Sequence, residues 1–185
     1  YTVADMKLAI LASLTTDGND IIIGTDGADT LMGGKGNDLI DGGYGNDTYL
    51  YRRGDGDDRI NAVGKGTDVL SLTDYNVADV VSAVRAGPDS NDLVLSFAGA
   101  GDRVVLIDAL SPSNNPAFGL SVRFADGTVW NRDAMRARAL SDIDGSGNDN
   151  VYGFDGNDTF AARAGNERLS GAAGDGLYQF RRGSG

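Results

Sequence analysis

Near the start of this chain an aspartate recurs at every ninth residue: Asp20, Asp29, Asp38 and Asp47. Two residues before each stands a glycine: Gly18, Gly27, Gly36 and Gly45. Two residues after each stands an apolar or aromatic residue: Ile22, Leu31, Ile40 and Tyr49. Asp-Gly and Asn-Gly pairs also mark ordinary hairpin turns. A hairpin protein, however, has no reason to hold three features in one phase over four units. Self-similarity at a fixed period instead points to stacked repeats, each unit too small to bury an apolar face alone.

Carboxylates packed this densely repel one another once the chain compacts. Two unit charges about 4–5 Å apart cost roughly 3–4 kcal/mol at an effective dielectric of 20. A hard divalent cation offsets that cost, and calcium (Ca2+) takes six to eight oxygen ligands at about 2.3–2.6 Å. Glycine admits φ > 0, which lets a turn direct its carbonyl oxygens inward. The apolar residue two positions on starts a short strand and points to a core. Each nonapeptide is therefore expected to be a metal-binding turn followed by a strand.

A longer period contains the short one. Asp149 and Asp158 stand 129 residues after Asp20 and Asp29, and the same offset pairs Tyr1 with Trp130, Met6 with Met135 and Leu11 with Leu140. The chain thus holds one full unit and the opening of the next, and is expected to be an excised piece of a longer array. The second copy is worn. Glu167 stands where Asp38 stood, Gly176 where Asp47 stood, and Ala162-Arg163 replaces Gly33-Gly34. Its metal chemistry is expected to be weaker.

The composition narrows the function. Of 27 acidic residues only Glu167 is a glutamate, and the 28 glycines are about twice the ordinary share. Selecting the shorter acid suits tight turns. A net charge of −11 argues against nucleic acid and anionic membranes as partners. With no cysteine and no histidine, disulfides, Cys- or His-based zinc sites and Ser-His-Asp triads are excluded. No apolar run approaches a membrane span, so membrane insertion is not expected. The opening "YTVADMKLAILAS" lacks the flanks of a cleaved signal.

On these residues the chain resembles the RTX (repeats-in-toxin) family of calcium-binding proteins, strongly over 17–60 and partially over 142–185. The resemblance implies an all-β fold, a right-handed parallel β-roll in which two nonapeptides make one coil of 18 residues. It implies calcium between turns stacked on one side, with Asp20 facing Asp38 and Asp29 facing Asp47. Backbone at Gly18, Gly27, Gly34, Gly36, Gly43 and Gly45 would complete the shells. "GDGDDRI" from Gly54 resembles the family's roll-closing segment, with Asp55 and Asp58 as further ligands. In the second block the candidates are Gly147, Asp149, Gly156 and Asp158. Glu167 would oppose Asp149, and Asp175 would stand in for the carboxylate missing at Gly176. "DIDGSGNDN" from Asp142 is not an EF-hand, because no glutamate closes a 12-residue loop.

Residues 61–130 read as short strands and turns. "NDLVLSFAGAGDRVVL" and "VRFADGTVW" resemble the calcium-binding-related segment that follows RTX blocks. They are expected to extend the roll or to fold into a small sandwich against it, with Trp130 as a core anchor and 111–119 as a loop. Apolar spacing predicts a helix at 131–141 with Met135 and Leu140 inward, and a counterpart at 3–14 using Met6, Ile10 and Leu11. The expected organisation is an N-terminal capping helix (1–16), a first roll block (17–60), a β-rich segment (61–130), a connecting helix (131–141) and a second, degenerate block (142–185).

The repeat accounts for nearly all the aspartate pairs, so no catalytic site is expected. The family resemblance implies a calcium-dependent folding and spacer module of a large secreted bacterial protein, exported by type I secretion machinery and working outside the cell. The alternatives are an adhesive module whose 61–130 segment binds cell-surface or glycan ligands, and the non-catalytic C-terminal part of a secreted hydrolase or toxin.

Overall fold

The computed structural model describes residues 15–62, 66–87, 90–99, 101–111, 119–143, 148–162 and 164–180. The helix expected at 3–14, most of the 111–119 loop and Gly147 lie outside the described residues. Short strands alternate between two sheets as the chain winds into a parallel β-roll. One sheet stacks β1 (Ile21–Ile23), β3 (Leu39–Asp41), β5 (Asp57–Asn61) and β9 (Arg103–Ile107) in parallel. The other stacks β2 (Thr30–Met32), β4 (Thr48–Tyr51), β6 (Val69–Leu72) and β10 (Ser121–Arg123) in parallel.

The three-residue strands β1, β2 and β3 each bury only their middle residue. That residue is the apolar one of the repeat, so the register builds two ladders. Ile22, Ile40, Ile60 and Leu106 form one, and Leu31, Tyr49, Leu70 and Val122 the other. All eight are buried. Burial of such a side chain contributes about 1.5–3 kcal/mol, so each coil adds only two modest increments to the core.

The "GDGDDRI" segment does not close the roll. Its strand β5 pairs with β3 on one edge and β9 on the other, because Leu106 extends the apolar ladder beyond Ile60. Closure comes later, by antiparallel strands. In the first sheet β8 (Leu93–Phe97) pairs with β9 and β7 (Val80–Arg85) pairs with β8. In the second, β11 (Val129–Trp130) pairs with β10. Strands from 17–60 and from 61–130 therefore share both sheets. Tyr75 and Phe97 stack at 4.2 Å beside Tyr51, and buried Trp130 meets Phe124 edge-on at 4.8 Å.

Helix α1 (Arg132–Ile143) begins at Asn131, whose Oδ1 accepts the Ala134 N–H at 2.9 Å. Met135, Ala139 and Leu140 are buried. The helix packs on β7 and β11 and also on β12 (Asn150–Tyr152) and β13 (Thr159–Ala161). It thereby links the first unit to the second block, where β12 pairs with β14 (Arg168–Ser170) and β13 with β15 (Leu177–Gln179), both in parallel.

Candidate metal sites

Stacking the repeats builds two columns of aspartates. The Asp20 N–H donates to Asp38 Oδ1 at 2.8 Å, and the Asp38 N–H donates to Asp58 Oδ1 at 3.0 Å. On the other side the Asp29 N–H donates to Asp47 Oδ1 at 2.9 Å, and the Asp47 N–H to Asp68 Oδ1 at 2.8 Å. The fold thus brings Asp20 to Asp38 and Asp29 to Asp47, and places Asp58 on the first column. Asp55 stands beside that column, where its carboxylate accepts the Arg52 N–H at 2.8 Å and its carbonyl the Gly36 N–H at 2.9 Å.

Asp68 is the residue that the period of nine did not reveal. Gly66 precedes it by two and Leu70 follows it by two, as in every repeat. The spacing from Asp47 is 21 residues rather than 18, which breaks the phase while the geometry persists. Above this rung both columns end. Val104 pairs with Asp58, and Leu120 precedes Ser121 where Asp68 precedes Val69.

Two sets of glycines make the columns possible. A Cβ at Gly33 would lie 2.2 Å from Asp38 Oδ2, and one at Gly42 would lie 2.4 Å from Asp47 Oδ2. These glycines are the seats in which the carboxylates rest. The second set stacks from coil to coil. A Cβ at Gly36 would sit 2.5 Å from the Gly18 carbonyl oxygen, at Gly56 2.1 Å from that of Gly36, and at Gly66 1.5 Å from that of Gly45. Gly45 stands over Gly27 in the same way. Gly34 and Gly43 have φ of +91° and +79°, a left-handed turn conformation costly for a residue with a Cβ.

Most of the column carboxylates are withdrawn from the surface. Asp29, Asp38, Asp47, Asp58 and Asp68 are all buried. Burial raises the carboxyls of Asp38, Asp55 and Asp68, and pushes that of Asp58 up to about 7. Protein donors serve the lowest rungs: Asp20 Oδ2 accepts the Thr16 N–H and hydroxyl at 2.6 and 3.0 Å, and Asp29 Oδ2 those of Thr25 at 2.7 and 3.0 Å. Glycines Gly34 and Gly43 replace these threonines one coil further. Asp38 Oδ2 is sealed from solvent with no hydrogen-bond partner among the described residues. A sealed, partnerless carboxylate oxygen seated against a glycine suits a hard cation with oxygen ligands. Among the described residues no three acidic side chains converge on one point, so a complete shell requires main-chain carbonyls.

The second block is built differently. The register sets Asp149 beside Glu167, and Glu167 Oε1 is sealed without a hydrogen-bond partner among the described residues. Asp158 is buried, and its Oδ2 accepts the Phe154 N–H at 2.7 Å. Burial raises its carboxyl, while the Phe154 N–H and the charges of Arg136 and Arg85 pull it back. The opposite position in the next coil is Gly176. Asp175 turns its backbone N–H to Asn157 Oδ1 at 2.9 Å. Gly156 and Gly174 stack as the first-block glycines do, with a Cβ at Gly174 falling 2.3 Å from the Gly156 carbonyl oxygen.

The RTX calcium-binding nonapeptide repeat matches residues 14–49 and 143–177, in four copies. No curated protein matches the chain. Among solved structures, a subunit of the Azotobacter vinelandii mannuronan C5-epimerase is similar at 19% identity, covering 49% of this chain and 71% of that one, with a TM-score of 0.32.

Proposed function

The two blocks are RTX calcium-binding nonapeptide repeats, and from that premise we propose that the chain is a calcium-dependent folding and spacer module of a large secreted bacterial protein. Such repeats bind calcium, and their family is generally non-catalytic. The observation that carries the reading is the buried, partnerless Asp38 Oδ2 within a column of stacked carboxylates. Asp20, Asp38 and Asp58 on one side and Asp29, Asp47 and Asp68 on the other would hold the ions. Carbonyls of the stacked turns near Gly18, Gly27, Gly36 and Gly45 would complete the shells, with Gly34 and Gly43 shaping the loops.

Magnitudes favour metal dependence. Each coil of the block gains about 1.5–3 kcal/mol from each of two inward apolar residues. It also seals two carboxylates, and an ionised buried group costs several kcal/mol when uncompensated. The apolar gain is thus about cancelled, and a cation that binds only the folded form decides the balance. Inside the cell, where calcium is scarce, the acidic chain stays open, which suits export by a type I system. Outside, millimolar calcium closes it. No helix among the described residues is long and apolar enough to cross a membrane.

Circular dichroism of the purified chain tests this. The expected result is β-structure in millimolar calcium and little structure in EGTA, with steep dependence on calcium because each ion neutralises at least two carboxylates. An equally compact and heat-resistant chain after exhaustive chelation would overturn the reading.

A further inference from the structure

The head of the second block carries two cations of the protein's own. Arg85, on β7, donates from Nη2 to the Gly153 carbonyl at 3.0 Å. Arg136, on α1, donates from Nη1 to the Asp155 carbonyl at 3.2 Å and from Nε and Nη2 to the Leu110 carbonyl at 3.2 and 2.8 Å. Both guanidinium groups lie against the Phe154 ring, 4.2 and 5.0 Å from its centroid. Phe154 occupies the place of Thr25 one unit earlier, and Asp158 the place of Asp29. In the first block the Thr25 hydroxyl serves the carboxylate. In the second the hydroxyl is gone, and an aromatic ring receives two arginines instead.

We propose that arginine takes the place of calcium at this junction: Arg85 and Arg136 bridge the preceding unit to the first turn of the second block, and Asp158 is not a calcium ligand. Three features carry this. The carbonyls of Gly153 and Asp155, on either side of Phe154, already accept N–H groups, so a metal ion there would have to displace them. The two guanidinium groups rest on the ring of Phe154, whose N–H Asp158 accepts, and their charges offset part of the cost of burying that carboxylate. Gly176, opposite Asp158, offers no carboxylate to complete a pair. Further contacts dock the helix that carries Arg136: Asp142 Oδ2 accepts the Ala83 N–H of β7 at 2.7 Å, and Asp142 Oδ1 pairs with Arg138 at 2.7 Å. The joint between units is therefore set by guanidinium–carbonyl and cation–π contacts, and tolerates calcium changes that leave the first unit folded.

The contrast with the first block rests on the calcium reading given above, and the experiment separates the two. Bound calcium is counted by equilibrium dialysis for the wild type, Asp158→Asn and Asp38→Asn. Asp158→Asn is expected to keep the full count and to shift the calcium midpoint less than twofold, while Asp38→Asn loses calcium. Loss of an ion in Asp158→Asn overturns the proposal. Unchanged binding in Asp38→Asn would instead strike the first-block reading. Hydrogen exchange of the Arg85→Ala/Arg136→Ala double variant at saturating calcium supplies the second arm. Amides of Val151 and Phe154 are expected to exchange at least tenfold faster, while those of β4 are unchanged. Unaltered protection at Val151 and Phe154, or equal loss in β4, overturns the bridge.

Discussion

The two repeat blocks descend from one pattern yet compensate their buried acids differently. In the first, carboxylates stack on carboxylates: Asp20, Asp38 and Asp58 in one column, Asp29, Asp47 and Asp68 in the other. In the second, Asp149 still faces Glu167, but Asp158 faces Gly176 and accepts the N–H of Phe154, on whose ring Arg85 and Arg136 lie. On the calcium reading, a column of like charges draws its compensation from ions or protons in solution and so responds to them. Fixed arginine charges near Asp158 offset part of its burial cost from within the fold, although burial still leaves its carboxyl raised. On the proposal above, the lost repeat signature around Asp158 is a change of counter-ion as well as wear.

Substitutions that remove the stacking should break this comparison most severely. In Gly66→Ala the new Cβ would lie 1.5 Å from the Gly45 carbonyl oxygen, a main-chain atom that cannot swing aside. A loss of about 3 kcal/mol or more is expected in calcium, within the range of severe core disruption, read from urea unfolding. The control is Gly176→Ala, where the nearest atom is a side chain at 3.6 Å. It should change stability by less than about 0.5 kcal/mol.

Asp38→Ala comes next. It removes the carboxylate at the centre of a column, and the calcium midpoint for folding should rise roughly tenfold, about 1.4 kcal/mol in binding terms. Asp158→Ala should move it far less. Equal shifts would erase the distinction between the blocks. Asp68→Asn sharpens the comparison from the other side. It keeps shape and the Asp47 hydrogen bond but removes a charge at the last rung, so it should raise the midpoint by a smaller factor, about threefold. No shift would confine calcium to the regular nonapeptides.

The smallest effect is that of pH on calcium-free protein. Asp38, Asp55, Asp58 and Asp68 have carboxyls raised by burial, that of Asp58 to about 7. Between about pH 4 and 7 the folded form therefore holds protons that the unfolded form has released, and stability falls as pH rises through this window. Residual structure in EGTA should be greater at pH 5 than at pH 8 in thermal melts. In calcium the order should reverse, because protons compete with the ion for the same oxygens.

Much of the roll was legible in the residue string. The phase of Asp20, Asp29, Asp38 and Asp47 reports a local rule, one turn and one strand per nine residues, and local rules are written in local sequence. The apolar ladder through Ile22, Leu31, Ile40 and Tyr49 follows from it, because strand alternation buries the middle residue of each three. The helix after Trp130 was legible from the helical spacing of its apolar residues, Met135 and Leu140 among them, though it runs on to Ile143. Three things were decided only in three dimensions. Asp68 joins the second column across an irregular coil of 21 residues, since what stacks is backbone register and not sequence spacing. The roll continues past Ile60 onto β9, contributed by residues more than forty positions away. Arg85 and Arg136 meet Phe154 from separate elements. A period records which neighbours along the chain resemble one another; which distant charges neutralise one another depends on how the coils and the helix pack.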